Sequence, residues 1–225
     1  MLNSLCWSAM NCVLDLGCGI GLTPQKLDLP QTWRIIGLDV NEEALCRAHE
    51  TFPNRVFVRG AGESMPFANE TFWRIFSNVA VSYMHIPEAL AEMNRVLQPG
   101  CAIVISTHSI GFTFSELRRA FPIPFATLYR IYVMANGVYF HLTGKLIRLS
   151  SARVESFQTR GAIRRALEQQ GFSEIQFRFD GRRCIVEAKK KPSLSMPEAC
   201  LGGKPPQFAP LSLQGQTQAS TPPLP

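Results

Sequence analysis

The stretch "VLDLGCGIGLTP", residues 13–24, decides how the first half of the chain folds. A short apolar run closes on Asp15 and is followed by Gly17, Gly19 and Gly21. This pattern predicts a buried strand that turns sharply into a helix, and such turns commonly bind nucleotides. Because the loop carries few side chains, its ligand must be identified from the rest of the sequence.

The composition is that of a globular protein with one sizeable core. The chain has 225 residues, of which 46% are hydrophobic and 18% are charged. Its seven cysteines form no C-x-x-C pair and several lie in apolar runs, which favours reduced, buried thiols in a cytoplasmic protein. The sequence shows neither a signal sequence nor an apolar run of membrane-spanning length. We therefore expect one cytoplasmic domain over residues 1–190.

The formal net charge of +6 is unevenly distributed. Acidic residues outnumber basic ones up to residue 110, whereas basic residues outnumber acidic ones from 111 to 191. Such a basic half is typical of proteins that bind nucleic acid or an anionic membrane, but scattered, solvated arginines give the same count. We prefer scattered arginines and expect no nucleic acid partner, since no N-P-P-Y or D-P-P-Y motif follows the fourth predicted strand.

Strand-like and helix-like segments alternate through most of the chain. This alternation predicts a parallel sheet with helices on both faces, and Gly100 is expected to end the helix before the fifth strand. The last two strands are expected to form a hairpin around the turn Asp180-Gly181. Residues 111–150, rich in aromatic side chains, predict an inserted helical cap, and residues 191–225 predict a disordered, proline-rich tail.

The spacing of the glycines narrows the choice of nucleotide. It is G-x-G-x-G, whereas a dinucleotide site needs G-x-G-x-x-G, and no G-x-x-x-x-G-K-[ST] motif is present for a triphosphate. Asp39 ends the second predicted strand, where a carboxylate can accept hydrogen bonds from both hydroxyls of a ribose. The sequence thus favours a nucleoside-containing ligand other than ATP or GTP.

Four segments in order extend this pattern from Val13 to Ser106: "LDLGCGIG", "GLDVN", "ESMPFANETF" and "EMNRVLQPG". Together they resemble class I S-adenosylmethionine-dependent methyltransferases, in particular the small-molecule branch that includes ubiquinone, menaquinone and sterol methyltransferases. The resemblance implies a doubly wound, Rossmann-like α/β fold with a seven-stranded, mainly parallel sheet and an antiparallel C-terminal hairpin strand. It also implies S-adenosylmethionine as the cofactor.

The resemblance assigns cofactor contacts to individual positions. Gly17, Cys18 and Gly19 are expected under the methionine part, with Asp15 near its amino group and Asp39 on the ribose. The remaining expected contacts are Val40 on one adenine face, Gly62 and Glu63 at the adenine edge, and Asn78 at the methionine end of the cleft. Alternatively, Asp15 and Asp39 cap the helices that follow them, and Glu63 is a solvated charge.

The chemistry of methyl transfer requires alignment of the acceptor and a general base only where the acceptor arrives protonated. Tyr83 and His108, after the fourth and fifth strands, are the candidates, although we prefer the alternative in which His108 is a loop histidine with a local hydrogen bond. No group of His, Cys and carboxylate residues has metal-ligand spacing. The oligomeric state is not specified by the sequence.

The predicted cap points to a small-molecule acceptor that is bulky and apolar. We expect the long apolar cap helix to pack on the core, with transient membrane-surface contact as the alternative. Ala61 and Trp73 stand where the family usually has acidic residues, and few residues precede the glycine strand. These departures keep open a second function, that of a catalytically inactive methyltransferase-fold protein that serves in binding or assembly.

Overall fold

The computed structural model describes residues 12–26, 32–108, 110–149, 154–180 and 183–192. Its centre is a seven-stranded sheet in the order β3-β2-β1-β4-β5-β7-β6. Strands β1 to β5 pair in parallel, whereas β7 is antiparallel to both β5 and β6. The strands are β1 (Cys12–Leu16), β2 (Arg34–Asp39), β3 (Val56–Arg59), β4 (Phe72–Asn78), β5 (Leu97–His108), β6 (Phe172–Asp180) and β7 (Arg183–Lys190). The predicted α/β fold with its antiparallel C-terminal strands is therefore confirmed.

Three of the described helices lie between parallel strands, and three more lie between β5 and β6. They are α1 (Thr23–Lys26), α2 (Glu42–Thr51), α3 (Ile86–Val96), α4 (Ile110–Ala120), α5 (Pro124–Thr143) and α6 (Arg160–Gln169), with a 3₁₀ turn over Ala80–Tyr83. The Asn41 side chain accepts a hydrogen bond from the Ala44 N–H and caps α2. Helix α3 begins with Pro87 in its first turn, where the missing N–H costs nothing.

The core follows from the alternation of side chains along the buried strands. On β1, Leu14 and Leu16 point into the larger core, which α3 and α6 cover with residues such as Leu90 and Leu167. Val13 points to the opposite face, into a smaller apolar cluster with Phe76. The carboxyl ends of β1, β2, β4 and β5 consequently meet at one edge of a rigid sheet.

The expected helix end at Gly100 is wrong. Helix α3 ends at Val96, and Leu97 already belongs to β5, in which Gly100 has a φ of 75°. Backbone pairing between Leu97 and Phe72 on β4 begins the strand earlier than the local glycine signal indicates. A register shift follows on β4, and the left-handed conformation of Gly100 lies in this irregular part of β5.

The cap segment forms two consecutive helices, α4 and α5. Asn136 and Gly137 lie inside α5 and do not interrupt it. The buried Asn136 amide donates to the Glu155 carbonyl at 3.0 Å, and its oxygen accepts from the Ile147 N–H at 2.8 Å. A Cβ at Gly137 would lie 2.3 Å from the Phe157 ring, so the glycine permits close packing of that segment. One face of α5 is thereby fixed to the core.

Two sequence predictions concern residues outside this description. The proline-rich tail begins at residue 191, and only residues 191 and 192 of it are described. Gly181 of the hairpin turn also lies outside the described residues, although the pairing of Asp180 with Arg183 joins β6 to β7. Within the described part of the chain, no helix combines the length and hydropathy that crossing a bilayer would need.

Candidate active site

The glycine loop after β1 is held against the end of β2. The N–H groups of Gly17 and Cys18 both donate to the Leu38 carbonyl, at 2.7 and 3.1 Å. Gly17, Gly19 and Gly21 have positive φ values, a conformation that side chains disfavour. These contacts place the loop at the carboxyl edge of the sheet.

The loop leaves open space at one glycine and none at another. A Cβ added to Gly17 would lie 2.1 Å from the Cβ of Ala80, so this position packs tightly against the 3₁₀ turn. A Cβ added to Gly19 would meet no atom within 4 Å. The surface over Gly19 is therefore available for a bound molecule to approach the backbone.

Asp39 is oriented by backbone N–H groups. Its Oδ2 accepts from the Gly19 N–H at 2.8 Å and its Oδ1 from the Asn41 N–H at 2.9 Å. Because a carboxylate oxygen can accept two hydrogen bonds, each oxygen keeps capacity for a hydroxyl. The cap of α2 is Asn41, so the alternative of Asp39 as that cap is wrong.

Asp15 is the buried carboxyl beneath the loop. Its side chain is 3% exposed, its Oδ1 has no hydrogen-bond partner among the described residues, and the Thr23 side chain hydrogen-bonds to the carboxyl. The pKa of Asp15 is raised to about 7, mainly by burial and further by the Asp39 charge, whereas the Thr23 hydrogen bond and the Arg55 charge lower it. An unpartnered carboxylate oxygen at this point suits a cationic group. The residues present thus fit a ligand with an ammonium group and a ribose.

Cys18 lies inside the loop, where a Cβ at Gly37 of β2 would come within 2.7 Å of its sulfur. Burial, together with the charges of Asp15 and Asp39, raises the pKa of the Cys18 thiol far above its usual range. The thiol is therefore neutral at pH 7, which makes Cys18 a small packing residue rather than a nucleophile.

Three further predicted cofactor residues take different positions. Val40, directly after β2, is 62% exposed. Gly62 packs closely, because a Cβ there would lie 2.6 Å from the Met84 sulfur. Glu63 accepts a hydrogen bond from the backbone N–H of His85 at 2.8 Å, at the start of α3. Asp39 is hydrogen-bonded to the glycine loop, whereas Glu63 is hydrogen-bonded to the start of α3.

Asn78 lies where β4 ends. Its Oδ1 accepts from the Ser106 hydroxyl at 2.8 Å and from the Arg183 guanidinium at 3.0 Å. The next residue, Val79, has a φ of 68°, a strained conformation for a β-branched side chain. The Val79 N–H donates to the Ser106 carbonyl at 2.9 Å, which fixes this turn against β5. The chain is thus redirected from β4 into the 3₁₀ turn that packs against the glycine loop.

His108 and Tyr83 lie after neighbouring strands. The His108 ring stacks on Phe112 with centroids 4.1 Å apart, and burial, followed by the Arg183 charge, lowers the pKa of His108 below 6.5. Tyr83 is 54% exposed, and burial of the rest of its side chain, followed by the Glu155 charge, raises the pKa of Tyr83. At pH 7 the imidazole is therefore neutral and able to accept a proton, whereas the phenol keeps its proton.

A charged network at the cap was missed by the sequence analysis. Arg130 of α5 bridges Glu155, at 3.0 Å, and Glu116 of α4, at 3.4 Å. The Tyr129 hydroxyl donates to Glu155 at 2.6 Å. Charges of this network act on the pKa of both His108 and Tyr83. The available signal was Arg130 itself, the single charged residue in a long apolar segment.

Metal ligands do not gather anywhere in the part of the chain that the structure describes, where no three His, Cys, Asp or Glu side chains form a group suited to an ion. The described cysteines, Cys12, Cys18, Cys46, Cys101 and Cys184, are all free thiols.

Comparison with known proteins identifies this arrangement. Residues 13–100 match the family described as Methyltransferase domain. The matched segment spans 88 of the 225 residues and is similar to a methyltransferase domain. The glycine loop after β1 and Asp39, the last residue of β2, both lie within the matched segment. The match agrees with the methyltransferase resemblance that the four sequence segments carry.

Relatives of this chain have several functions. A malonyl-acyl-carrier-protein O-methyltransferase of Erwinia pyrifoliae is 32% identical over 61% of this chain and 55% of its own length. A demethylmenaquinone methyltransferase of Chlorobaculum parvum is 32% identical over 41% of this chain and 39% of its own. The mitochondrial arginine hydroxylase NDUFAF5 of Mus musculus is 32% identical over 47% of this chain and 31% of its own. The chain thus spans about half or less of the length of these curated relatives.

The fold of this chain recurs in solved structures. A phosphoethanolamine N-methyltransferase of Haemonchus contortus, in complex with S-adenosyl-L-methionine, superposes with a TM-score of 0.57. It is 12% identical, and the superposition covers 80% of this chain and 49% of that one. At this identity the likeness concerns the fold alone.

Proposed function

We propose that this chain transfers the methyl group of S-adenosylmethionine to a small, bulky, apolar acceptor. The observation that carries the proposal is the pair of interacting carboxyls, Asp15 and Asp39, at the glycine loop. Backbone N–H groups of Gly19 and Asn41 orient Asp39 and leave it capacity for two hydroxyls, and Asp15 has a buried oxygen with no hydrogen-bond partner among the described residues. S-adenosylmethionine, when bound, supplies a methyl group made electrophilic by the sulfonium.

The chain's own residues would hold the two polar ends of the cofactor. Asp39 would accept hydrogen bonds from the ribose hydroxyls, and Asp15 would pair with the methionine ammonium, which would lower the raised pKa of its carboxyl. Gly17, Cys18 and Gly19 would allow the cofactor to approach the loop backbone. Their small size is needed there because larger side chains would occupy the same space.

Four more positions complete the proposed cofactor contacts. The exposed Val40 side chain would pack on the adenine, and Gly62 and Glu63 would lie at the adenine edge. Glu63 already accepts the His85 N–H, so only its remaining lone pairs are available to the cofactor. Asn78, whose oxygen is engaged by Ser106 and Arg183, would offer its amide N–H groups to the methionine end.

The acceptor side would be formed by His108 and Tyr83. His108 would take a proton from an acceptor that carries an acidic O–H or C–H, because its lowered pKa leaves the ring neutral at pH 7. Tyr83 would donate a hydrogen bond, because its raised pKa keeps the phenol protonated. Phe112, stacked on His108, supports an apolar acceptor at this point.

The aromatic-rich cap over residues 111–150 favours an apolar acceptor. The cap would also exclude water from the site. Its two helices follow β5 directly, at the edge where the parallel strands end. The demethylmenaquinone relative acts on an acceptor of this general kind, according to its name. We infer a cytoplasmic enzyme that acts on a small molecule rather than on nucleic acid.

Calorimetric titration with S-adenosylmethionine and S-adenosylhomocysteine tests the cofactor site. We expect micromolar binding to the full chain and at least about a tenfold loss in Asp39→Ala, since charge-assisted hydrogen bonds are each worth about 1.5–3 kcal/mol. Glu43→Ala is the matched control, because it removes the same charge from an exposed pair on α2. Equal binding by wild type and Asp39→Ala would contradict the assignment, as would absence of binding to the folded wild type.

Methyl transfer itself is tested with methyl-labelled S-adenosylmethionine and a panel of quinones, sterols and phenols. We expect labelled product with wild type. The rate of methyl transfer should rise with pH below 6.5, as His108 loses its proton, and should not change with pH above that range. In His108→Gln this rise should disappear and kcat should fall by about 10²–10⁴. Mass spectrometry of the acceptor separates an added methyl group from an added hydroxyl group. Cofactor binding without any modified acceptor would favour the binding or assembly alternative.

A further inference from the structure

Helix α5 is apolar on two opposite faces. Its inner face, which includes Val133, Asn136 and Phe140, is buried against the rest of the domain. A helix with apolar residues all round is normally buried on every side. The outer face of α5 therefore requires an explanation.

The outer face is a continuous stripe. Its large side chains are each between 48% and 72% exposed: Leu128, Ile131, Val138 and Leu142. Intervals of three, four and seven residues place them on one side of the helix. The 20 residues of α5 are together about 30 Å long.

Further exposed apolar side chains flank α5 in the sequence. Phe121 and Ile123 precede the helix, Ile147 and Leu149 follow it, and all four are at least half exposed. Contiguous exposed apolar surface of this extent marks a site of contact with another molecule or with a membrane. None of the residues that the structure describes covers it.

The rim of the stripe is cationic. Arg118 and Arg119 end α4 on an exposed surface, and Lys145 and Arg148 follow α5; Arg119 is also paired to Glu116, and Arg148 to Glu88 on α3. Glu116 is the one acidic residue between 110 and 149, and its side chain is only 19% exposed. Positive charge around an apolar stripe complements an anionic surface.

We propose that the outer face of α5 docks on an anionic lipid surface, with the stripe buried among the acyl chains and the arginine and lysine rim at the headgroups. A second copy of the chain is a poorer occupant, because a symmetric contact would bring two cationic rims together. Residues 193–225 are also poorer, since they contain one Glu against one Lys and cannot neutralise the rim. The docking is independent of whether the chain transfers methyl groups.

Docking in this orientation would place the cap, and with it the entrance to the proposed acceptor site, at the membrane interface. An acceptor that partitions into lipid would then reach His108 and Tyr83 without crossing water. Lys and Arg side chains suit the rim, because their aliphatic stems bury while their charges stay at the headgroups.

Vesicle sedimentation with the full chain tests the proposal. The probes are vesicles of pure phosphatidylcholine and vesicles of equimolar phosphatidylcholine and phosphatidylglycerol. We expect binding to the anionic vesicles and weak binding to the neutral ones. The double variant Leu128→Ser, Leu142→Ser should bind at least about tenfold more weakly, because burial of each side chain contributes on the order of 1.5 kcal/mol or more. Arg118→Gln should weaken binding about fivefold.

Val56→Ser is the control, because it removes an apolar side chain that is 45% exposed from β3, the strand at one edge of the sheet. All these positions are exposed, so the thermal midpoints of the variants should equal that of wild type, and titration with S-adenosylhomocysteine should be unchanged. Absence of sedimentation with anionic vesicles would overturn the proposal. A dimer in light scattering that the double variant dissociates, without vesicle binding by wild type, would assign the stripe to a second copy instead.

Discussion

Replacing Gly19 by Ala separates the stability of the fold from the affinity for the cofactor. The added Cβ meets no atom within 4 Å, so the only expected cost to the fold is the left-handed backbone, with a φ of 51°. That conformation costs a non-glycine residue roughly 1–2 kcal/mol. The same methyl group would occupy the surface that we assign to the cofactor. Overpacking costs about 1–3 kcal/mol, so binding should weaken about 5- to 150-fold.

Gly17→Ala is the opposite case. Its Cβ would lie 2.1 Å from the Cβ of Ala80, where carbon atoms in contact are normally about 3.5–4.0 Å apart. The overlap and a φ of 72° together should lower the free energy of unfolding by about 2–5 kcal/mol. The variant should remain folded at low temperature, because domains of this size are stable by about 5–15 kcal/mol.

Urea unfolding gives the stability of each variant, and calorimetry with S-adenosylhomocysteine gives its affinity. The expected pattern is a small loss of stability with a large loss of affinity in Gly19→Ala, and a large loss of both in Gly17→Ala. Wild-type affinity in Gly19→Ala would refute the placement of the cofactor over this glycine. Wild-type stability in Gly17→Ala would refute the close packing of the loop on the 3₁₀ turn.

Three further substitutions follow from the structure. Gly137→Ala should destabilise the protein by about 1–3 kcal/mol in urea unfolding despite the higher helix propensity of alanine, because the Cβ would lie 2.7 Å from the Phe157 carbonyl oxygen. Because the pKa of the Asp15 carboxyl is raised, wild type without cofactor should lose stability as the pH rises towards 7. Between about pH 5 and 8 the free energy of unfolding of Asp15→Asn should therefore rise by about 3 kcal/mol relative to that of wild type. A difference that does not depend on pH would contradict this. Glu187→Gln should lower the free energy of unfolding by about 2–4 kcal/mol and with it the thermal midpoint, because the Arg74 side chain, 4% exposed, would lose the carboxylate 2.5 Å away. An unchanged midpoint would argue against the importance of this ion pair.

The sequence was sufficient to predict the sheet and the cofactor loop because both depend on local signals. Apolar runs of strand length lie between helical segments, and the glycines after β1 require positive φ at Gly17, Gly19 and Gly21. Asp39 was predictable because it ends a strand next to that loop. Gly100 was predicted wrongly, since pairing of β5 with β4 outweighed the local signal for a helix end.

The acceptor side could not be predicted to the same depth because its contacts join residues far apart in the sequence. Arg130 meets Glu116 and Glu155 from two different segments, and no spacing rule connects these three positions. Arg183 reaches Asn78 only because β7 returns antiparallel beside β5. The aromatic composition of the cap indicated an apolar surface but not which side of α5 would remain exposed.

One four-residue turn connects the two halves of the proposed site. The strained Val79 directs the chain into the turn, and Ala80 then packs on Gly17 of the cofactor loop. Two residues later, the Ser82 carbonyl accepts a hydrogen bond from the Ser156 N–H at 3.2 Å, in the segment that packs beneath the cap. The turn is closely packed on both sides. A shift of the glycine loop would therefore also move the segment that supports the cap. The strain at Val79 is thus best explained by the need to satisfy both contacts with so short a connection.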